Sequence, residues 1–168
     1  MGPHLLKYLD AISEWAGRIV YWLVYALVLV VTVDIIMRYF IREALFWGHD
    51  VAYMIYGITV MIGGSYALLH NVHIRVDVIY NSLSARTRGV IMVLFYVCLF
   101  FPFTLCMIWV GTEQTMDAIR FNELAITTPW HHVTYPYKAI IPLSFLLLSI
   151  QGVAEFLRNL RLIIKKED

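Results

Sequence analysis

The chain alternates between long stretches without charged residues and short polar connections. Four stretches carry no Asp, Glu, Lys or Arg: residues 19–33, 51–69, 89–112 and 139–154. At about 1.5 Å of helix rise per residue, the second and third reach roughly 28 and 36 Å, enough to cross a hydrocarbon core of about 30 Å. The first and fourth become long enough when extended into aromatic flanks suited to the membrane interface. The pattern predicts an all-α integral membrane protein with transmembrane helices at 19–39, 51–69, 89–112 and 135–154.

Composition supports the same class of protein. The chain is 61% hydrophobic and only 15% charged, and its mean hydropathy of +0.72 lies far from that of an ordinary soluble domain. It shows no internal repeat and no low-complexity tract. We therefore interpret residues 1–168 as one four-helix membrane domain.

The distribution of basic residues predicts the orientation. Nine of the Lys and Arg residues fall in the N-terminal segment, the 70–88 connection and the 155–168 tail: Lys7, Arg18, Arg75, Arg86, Arg88, Arg158, Arg161, Lys165 and Lys166. The other side holds four, namely Arg38, Arg42, Arg120 and Lys138. The positive-inside rule then places both termini, the 70–88 connection and the basic tail in the cytoplasm.

The N-terminal segment, residues 1–18, permits two interpretations. Its acidic residues Asp10 and Glu14 argue against a cleavable signal peptide. Apolar residues recur there at helical spacing: Leu5, Leu9, Ile12, Ala16 and Ile19. The segment is either an amphipathic helix lying on the cytoplasmic surface or the solvated first turns of the first span.

The third span contains two cysteines and a proline. Cys98 and Cys106 lie within it without a C-x-x-C pair or a disulfide partner on a loop, so we interpret them as packing residues. Pro102 removes a backbone donor and predicts a kink in this helix.

Few residues in the sequence point to catalysis or to a bound cofactor. A haem needs imidazoles inside the membrane on facing helices, and every histidine lies at a span end or in a connection. His70, His73 and Asp77 offer a weak zinc alternative without Cys or an H-E-x-x-H pattern. No nucleophile elbow, phosphate loop or dinucleotide fingerprint is present. We predict that the chain is not an enzyme and carries no catalytic, cofactor or metal residue.

The apolar runs also contain no ionisable group near the membrane midplane, where a stand-alone transporter holds substrates and coupling ions. Asp34 and Arg38 come closest, at i, i+4 on one face near the outer boundary. They either form an interfacial ion pair or anchor a loop or a partner chain.

Several short motifs occur together in a recognisable order. They are V-D-I-I-M-R-Y (33–39), W-G-H-D (47–50), G-G-S-Y-A-L-L-H-N-V-H-I-R-V-D (63–77), E-L-A-I-T-T-P-W (123–130) and A-I-I-P-L (139–143). In this order and spacing the chain resembles the small membrane subunit, the Q or DctQ type, of tripartite ATP-independent periplasmic (TRAP) transporters. The resemblance covers nearly the whole chain, and H-I-R-V-D after an apolar helix is its most specific part.

Two positions depart from the pattern of that family. Relatives tend to have a glutamine four residues before the R-Y arginine and a pair of acids after the tryptophan, whereas this chain has Asp34, and His49 with Asp50. The first change replaces a neutral hydrogen-bonding site with an ion pair. The second halves the acidic charge, so partner contacts at these positions are expected to differ.

The resemblance implies a scaffold in the bacterial inner membrane. The small subunit would brace a large elevator-type subunit (M type) during sodium-coupled uptake of an organic acid, which a periplasmic solute-binding protein (P type) delivers. It implies contacts with these two proteins and with membrane lipids, and none with nucleic acid. Residues 38–50 and 112–138 are the candidate docking surface. The candidate partner or structural residues are Asp34, Arg38, Tyr39, Trp47, His49, Asp50, His70, His73, Arg75, Asp77, Pro129 and Trp130.

The sequence leaves two backbone conformations open for the stretch around His73. If it is extended, His73, Arg75 and Asp77 share one face, and if it is helical only His73 and Asp77 do. We expect hydrogen bonds that fix the 70–88 connection rather than metal binding. A redox subunit with haem or quinone and a small self-contained exporter are the alternative functions.

Overall fold

Six helices make up the described part of the chain. The computed structural model describes residues 3–43, 45–70, 85–125 and 130–164. Its helices are α1 (Pro3–Ile36), α2 (Gly48–Leu69), α3 (Ala85–Phe95), α4 (Phe101–Arg120), the short α5 (Tyr135–Lys138) and α6 (Ile140–Ile164). Two π-helical turns continue them, Met37–Ile41 after α1 and Tyr96–Phe100 between α3 and α4. The extended contact among these residues is a single antiparallel bridge between Leu124 and Val133.

Four helical rods are long and apolar enough to cross a membrane, which confirms the prediction of four transmembrane helices. They cover Lys7–Ile41, Gly48–Leu69, Thr87–Arg120 and Tyr135–Leu160. The helices run beyond the predicted spans. Helix α1 is continuous from Pro3, which favours the interpretation of the N-terminal segment as the first turns of span one. Helix α6 continues to Ile164, so the segment predicted as a tail begins as helix.

Helix α6 lies at the centre of the packing. Helices α1 and α2 pack against each other and both contact α6, while α3 and α4 pack along α6. In the described part of the chain, α3 and α4 make no comparable contact with α1 or α2. The spans therefore assemble around one central helix and leave wide faces of α1, α3 and α4 open.

The interior is made of small and polar side chains, and the large apolar side chains point outward. Buried hydrophobic residues in the described ranges are Ala16, Leu68, Tyr96, Ala118 and Ala154, and buried polar ones are Ser13, Asp50, Ser65, Thr104, Ser144, Gln151 and Glu155. Because lipid tails are as apolar as leucine, helices in a membrane associate through close packing of small residues and through hydrogen bonds. This distribution is what a membrane-embedded chain is expected to show.

Several glycines allow elements to approach closely, and Gly17 and Gly111 do so between pairs of spanning helices. A Cβ on Gly17 of α1 would collide with the ring of Tyr66 on α2. A Cβ on Gly111 of α4 would come within 3.0 Å of the Pro142 ring on α6. The helix pairs α1–α2 and α4–α6 therefore depend on the absence of a side chain at these positions.

The third span departs from α-helical geometry just before Pro102. The π-helical turn Tyr96–Phe100 precedes this proline, which has no N–H to donate and whose ring crowds the carbonyl four residues earlier. Backbone geometry therefore changes where the sequence predicts a kink, and the kink itself stays a prediction. The interpretation of Cys98 and Cys106 as packing residues is wrong within this chain, because both are exposed. Lipid or a partner protein can solvate them as well as an interior would.

Candidate functional site

Asp34 connects the end of α1 to the start of α2. Its Oδ2 atom accepts a hydrogen bond from Arg38 Nη2 at 2.9 Å, and its Oδ1 atom accepts the backbone N–H of Leu45 at 3.2 Å. Asp34 is largely enclosed, with 16% of its side chain exposed, whereas Arg38 is 60% exposed. A Cβ on Gly48 would lie 3.1 Å from Asp34 Oδ1. The sequence left an ion pair and a loop anchor as alternatives, and Asp34 acts as both.

The chain leaves the first span through a left-handed residue. Arg42 has a φ of 61°, a conformation that costs a non-glycine residue roughly 1–2 kcal/mol. Just before it, the side chains of Tyr39 and Phe40 are among the most exposed apolar groups of the chain. The candidate residue Tyr39 therefore points away from this chain.

Asp50 and His132 bring the two predicted docking segments together. Asp50 lies in the first turn of α2, where the helix dipole favours a carboxylate. Its Oδ2 atom lies 3.9 Å from His132 Nδ1, with only 6% and 14% of the two side chains exposed. Trp130 packs against His132 with ring centroids 5.0 Å apart. Of the neighbouring candidates, His49 is exposed and Trp47 is partly buried.

The connection after α4 is held by its own contacts. Lys138 Nζ donates to Glu123 Oε2 at 2.5 Å, and the Thr134 backbone N–H donates to the Glu123 carbonyl at 3.1 Å. The Ala125 N–H donates to the His132 carbonyl at 2.9 Å. Sequence reasoning did not single out Glu123, His132 or Lys138. The sequence signal for these three residues was that they are polar and lie in or next to the connection between two apolar spans.

A second polar cluster ties α1 to α6 at the predicted cytoplasmic end. Ser13 Oγ donates to Gln151 Oε1 at 2.7 Å, and Gln151 Nε2 donates to Asp10 Oδ1 at 3.3 Å. Arg158 bonds both Asp10 and Glu155. Sequence reasoning missed this cluster as well. Its signal was the spacing of Gln151, Glu155 and Arg158 at i, i+4 and i+7, which places them on one helix face.

His70 ends α2 beside this cluster. Its Nε2 atom lies 3.2 Å from Glu14 Oε2, and its ring centroid lies 4.3 Å from that of Tyr66. The candidate residues His73, Arg75, Asp77 and Pro129 lie outside the described residues. Within the described ranges, no three His, Cys, Asp or Glu side chains lie together as metal ligands would.

Comparison with protein families gives this arrangement a context. Residues 27–162 match the model for the DctQ component of tripartite ATP-independent periplasmic transporters. The chain belongs to this family. It is therefore a small permease subunit of a TRAP transporter, a multi-pass membrane protein in a family of transport components and not of enzymes. No curated protein matches it.

The two polar clusters differ in how much of each falls within the matched residues. The polar residues at the predicted outer end, Asp34, Arg38, Asp50, Glu123, His132 and Lys138, are called the outer cluster, and they lie wholly within the part that matches the DctQ family. In the cluster at the predicted cytoplasmic end, Gln151, Glu155 and Arg158 lie within the matched range, but Asp10 and Ser13 precede its first residue. The cluster thus joins residues inside the matched range to residues that precede it.

Proposed function

We propose that this subunit is a scaffold for the large membrane subunit of its transporter, during sodium-coupled uptake of an organic acid delivered by a periplasmic binding protein. It would act in the bacterial inner membrane with both termini in the cytoplasm. The proposal rests on a distribution of side chains that is the reverse of the one in a soluble protein. Polar groups close the ends of the chain's own helices, while the large apolar groups face outward, available to another membrane protein.

The position of the ionisable groups supports a scaffold over a transport pathway. In the described ranges the ion pairs lie toward the two ends of the helices, around Asp34 and around Arg158. A substrate or coupling-ion site is expected near the bilayer midplane, with charged groups or broken helices. The π-helical turn before Pro102 is an irregular element inside the third span, and it packs its own aromatic rings, such as Tyr96 against Phe100.

Helix α1 presents the best-defined face for the large subunit. Exposed apolar side chains recur every seven residues along it: Tyr8, Trp15, Trp22, Leu29 and Ile36. A seven-residue repeat favours left-handed packing against another long helix. From Tyr8 to Ile36 this stripe spans roughly 42 Å, more than the hydrocarbon thickness of about 30 Å. A protein partner would cover the ends of the stripe better than lipid tails alone.

The outer cluster is the proposed docking surface for the binding protein. Asp34 holds Leu45, and Asp50 at the start of α2 lies 3.9 Å from His132, so described residues of both predicted docking segments meet there. Exposed groups of both charges lie there, including Arg38, Asp117 and Arg120. Such groups can orient a soluble partner without contributing a substrate site.

Reconstitution tests the scaffold role. Liposomes containing this subunit alone, the large subunit alone, or both are supplied with the binding protein and a sodium gradient. Uptake of an organic acid is expected only when all three proteins are present. Uptake by this subunit alone would refute the proposal.

Paired variants test the stripe on α1. Replacing Trp15 and Trp22 by Ala should reduce recovery of the large subunit on co-purification. The matched control is Trp109→Ala, which removes an equally exposed tryptophan from α4. Equal losses in both cases would show that the stripe is an ordinary lipid-facing surface.

A further inference from the structure

We propose that α1 and α2 hold one molecule of phosphatidylethanolamine, a phospholipid whose head group carries a phosphate and a primary ammonium, at the predicted cytoplasmic end of the spans. The site consists of an apolar groove and a polar cavity that share Glu14. The scaffold role is not needed for this proposal. The inferred orientation determines only which leaflet supplies the lipid.

The apolar groove runs between α1 and α2. Its volume is about 340 Å³, and its lining extends along α1 from Glu14 to Val24, with Tyr66 of α2 on the other side. Gly17 lies in this stretch, and its missing side chain leaves room for the Tyr66 ring. From Glu14 to Val24 the helix rises about 15 Å, half of a hydrocarbon core of about 30 Å. The groove therefore has the length of one leaflet, as an acyl chain does.

Arg18 lies at the polar end of this groove. It is exposed, and it makes no ion pair in the described part of the chain, because Glu14, four residues earlier, contacts His70 of α2 instead. A guanidinium presents a planar fork of N–H donors that matches the oxygens of a phosphate. A cation without a partner at the mouth of an apolar groove favours the phosphate of a phospholipid.

The polar cavity next to the groove carries an excess of carboxylates. Its volume is about 370 Å³, and Asp10, Glu14, His70 and Arg158 are among its lining residues. Arg158 bonds both Asp10 and Glu155, so one permanent cation serves three carboxylates, and His70 is charged only when protonated. Negative charge in partly enclosed surroundings favours a cation. A primary ammonium offers three N–H donors, as the lysine side chain does.

The order of these groups along α1 matches the order of chemical groups in the lipid. Glu14 precedes Arg18 by four residues, or about 6 Å of helix rise, so the carboxylates lie farther out than the guanidinium. In phosphatidylethanolamine the ammonium likewise lies beyond the phosphate, and the acyl chains begin on its other side. Phosphatidylglycerol has no ammonium, and the trimethylated ammonium of phosphatidylcholine has no N–H to donate. The arrangement therefore favours phosphatidylethanolamine over both.

The groove lies apart from the stripe proposed for the large subunit. None of the stripe residues lines it: Tyr8, Trp15, Trp22, Leu29 and Ile36. A helix of the large subunit packed on the stripe would leave the groove open to the bilayer. Lipid is therefore the occupant that fits this place.

Native mass spectrometry of the full chain, released from detergent micelles, tests the site. The chain is freed of lipid and offered dioleoyl phosphatidylethanolamine, phosphatidylglycerol or phosphatidylcholine in turn. Phosphatidylethanolamine should bind roughly tenfold more tightly than the other two, the difference that one charge-assisted hydrogen bond makes. Glycerophosphoethanolamine, the same head group without acyl chains, should leave no adduct at the same concentration. Equal affinity for the three lipids, or an equal adduct with the free head group, would overturn the proposal.

Single substitutions separate the two head-group contacts. Arg18→Gln should weaken binding of all three lipids by roughly tenfold, because they share the phosphate, whereas Glu14→Gln should remove only the preference for phosphatidylethanolamine. The matched controls are Arg120→Gln and Glu113→Gln, which change exposed charges of α4 and should have no effect. Affinities that stay unchanged in Arg18→Gln and Glu14→Gln would show that neither residue contacts the head group.

Filling the groove tests the acyl-chain contact. Val24→Trp should prevent binding of phosphatidylethanolamine, while Leu105→Trp, at an exposed apolar position of α4, should not. Unfolding in mixed micelles verifies that both variants are folded. Undiminished lipid binding in Val24→Trp would contradict the groove as the lipid site. If the lipids bind without preference and Val24→Trp instead lowers recovery of the large subunit, the groove is a protein interface and the proposal is wrong.

Discussion

Ser13 of α1 donates a hydrogen bond to Gln151 of α6 at 2.7 Å, although 138 positions separate them in the chain. Both side chains are fully buried. Hydrogen bonds between helices in membranes contribute about 0.6 kcal/mol on average and up to about 1.7 kcal/mol. This bond belongs to a connected network, so it is expected to lie in the upper part of that range.

The first prediction concerns this bond. Ser13→Ala should destabilise the chain by about 1 kcal/mol and Gln151→Leu by about 1–2 kcal/mol, measured by unfolding in mixed micelles. Ser149→Ala is the matched control, because the Ser149 hydroxyl donates only to the Phe145 carbonyl of its own helix. If Ser149→Ala costs as much as Ser13→Ala, the contact between α1 and α6 does not contribute to stability.

The second prediction concerns the approach of α1 to α2. Gly17→Ala should destabilise the chain by about 1–3 kcal/mol, because the new methyl group would displace the Tyr66 ring. Gly64→Ala has open space around its Cβ and should be neutral or stabilising by up to about 1 kcal/mol, since alanine favours helix. The same unfolding assay compares them. Recovery of stability in Gly17→Ala with Tyr66→Leu would identify the ring as the cause.

The third prediction concerns Arg158, which neutralises two carboxylates. Arg158→Ala leaves Asp10 and the buried Glu155 facing each other without a cation. Loss of a buried partner costs about 3–5 kcal/mol, and because 35% of the Arg158 side chain is exposed we expect about 1–3 kcal/mol. Arg120→Ala, which breaks the exposed pair with Asp117, should cost less than about 1 kcal/mol. Equal unfolding free energies for the two variants would contradict this difference.

The fourth prediction concerns orientation. The positive-inside rule places Asp168 in the cytoplasm and the connection containing the exposed Asn122 outside it. A reporter that is active only in the periplasm should therefore be active when inserted near Asn122 and silent when fused at Asp168. The reverse pattern would invert the topology, and with it the assignment of the outer cluster as the docking surface.

Local patterns in the sequence were sufficient for the spans and for the Asp34–Arg38 pair. Charge-free length identifies a membrane helix, and an i, i+4 spacing places two side chains on one face. Neither depends on the rest of the fold. The sequence could also predict that Pro102 disturbs its helix, because that effect arises within a single helix.

The packed faces could not be predicted in the same way. Of the periodic apolar residues of the first helix, Ile12 and Ile19 are exposed and the small Ala16 is buried, while the polar Ser13 is fully buried. In water the apolar face of a helix is the face that packs. In a membrane, lipid solvates isoleucine as well as a protein interior does, so apolar periodicity does not report the packed face. For the same reason apolar periodicity could not reveal the cluster that joins Asp10 and Ser13 to Gln151 and Arg158, from opposite ends of the chain. Its local signal was polar, the spacing of Gln151, Glu155 and Arg158 on one helix face.

The last prediction separates a structural role of Arg38 from a role in transport. Asp34 keeps the Leu45 N–H as a partner when Arg38 is removed, and Arg38 is 60% exposed, so Arg38→Ala should change the stability of the isolated chain by no more than about 1 kcal/mol. Within the complex the same change should lower recovery of the large subunit on co-purification, if a partner covers the guanidinium and Asp34. Arg38→Lys keeps the charge but not the planar fork, and should give an intermediate recovery. The complex that remains should show unchanged apparent affinities for sodium and solute, measured as uptake at several concentrations of each. If the complex instead stays intact while the sodium dependence or the solute affinity shifts, Arg38 belongs to a transport site, and the subunit is more than a scaffold.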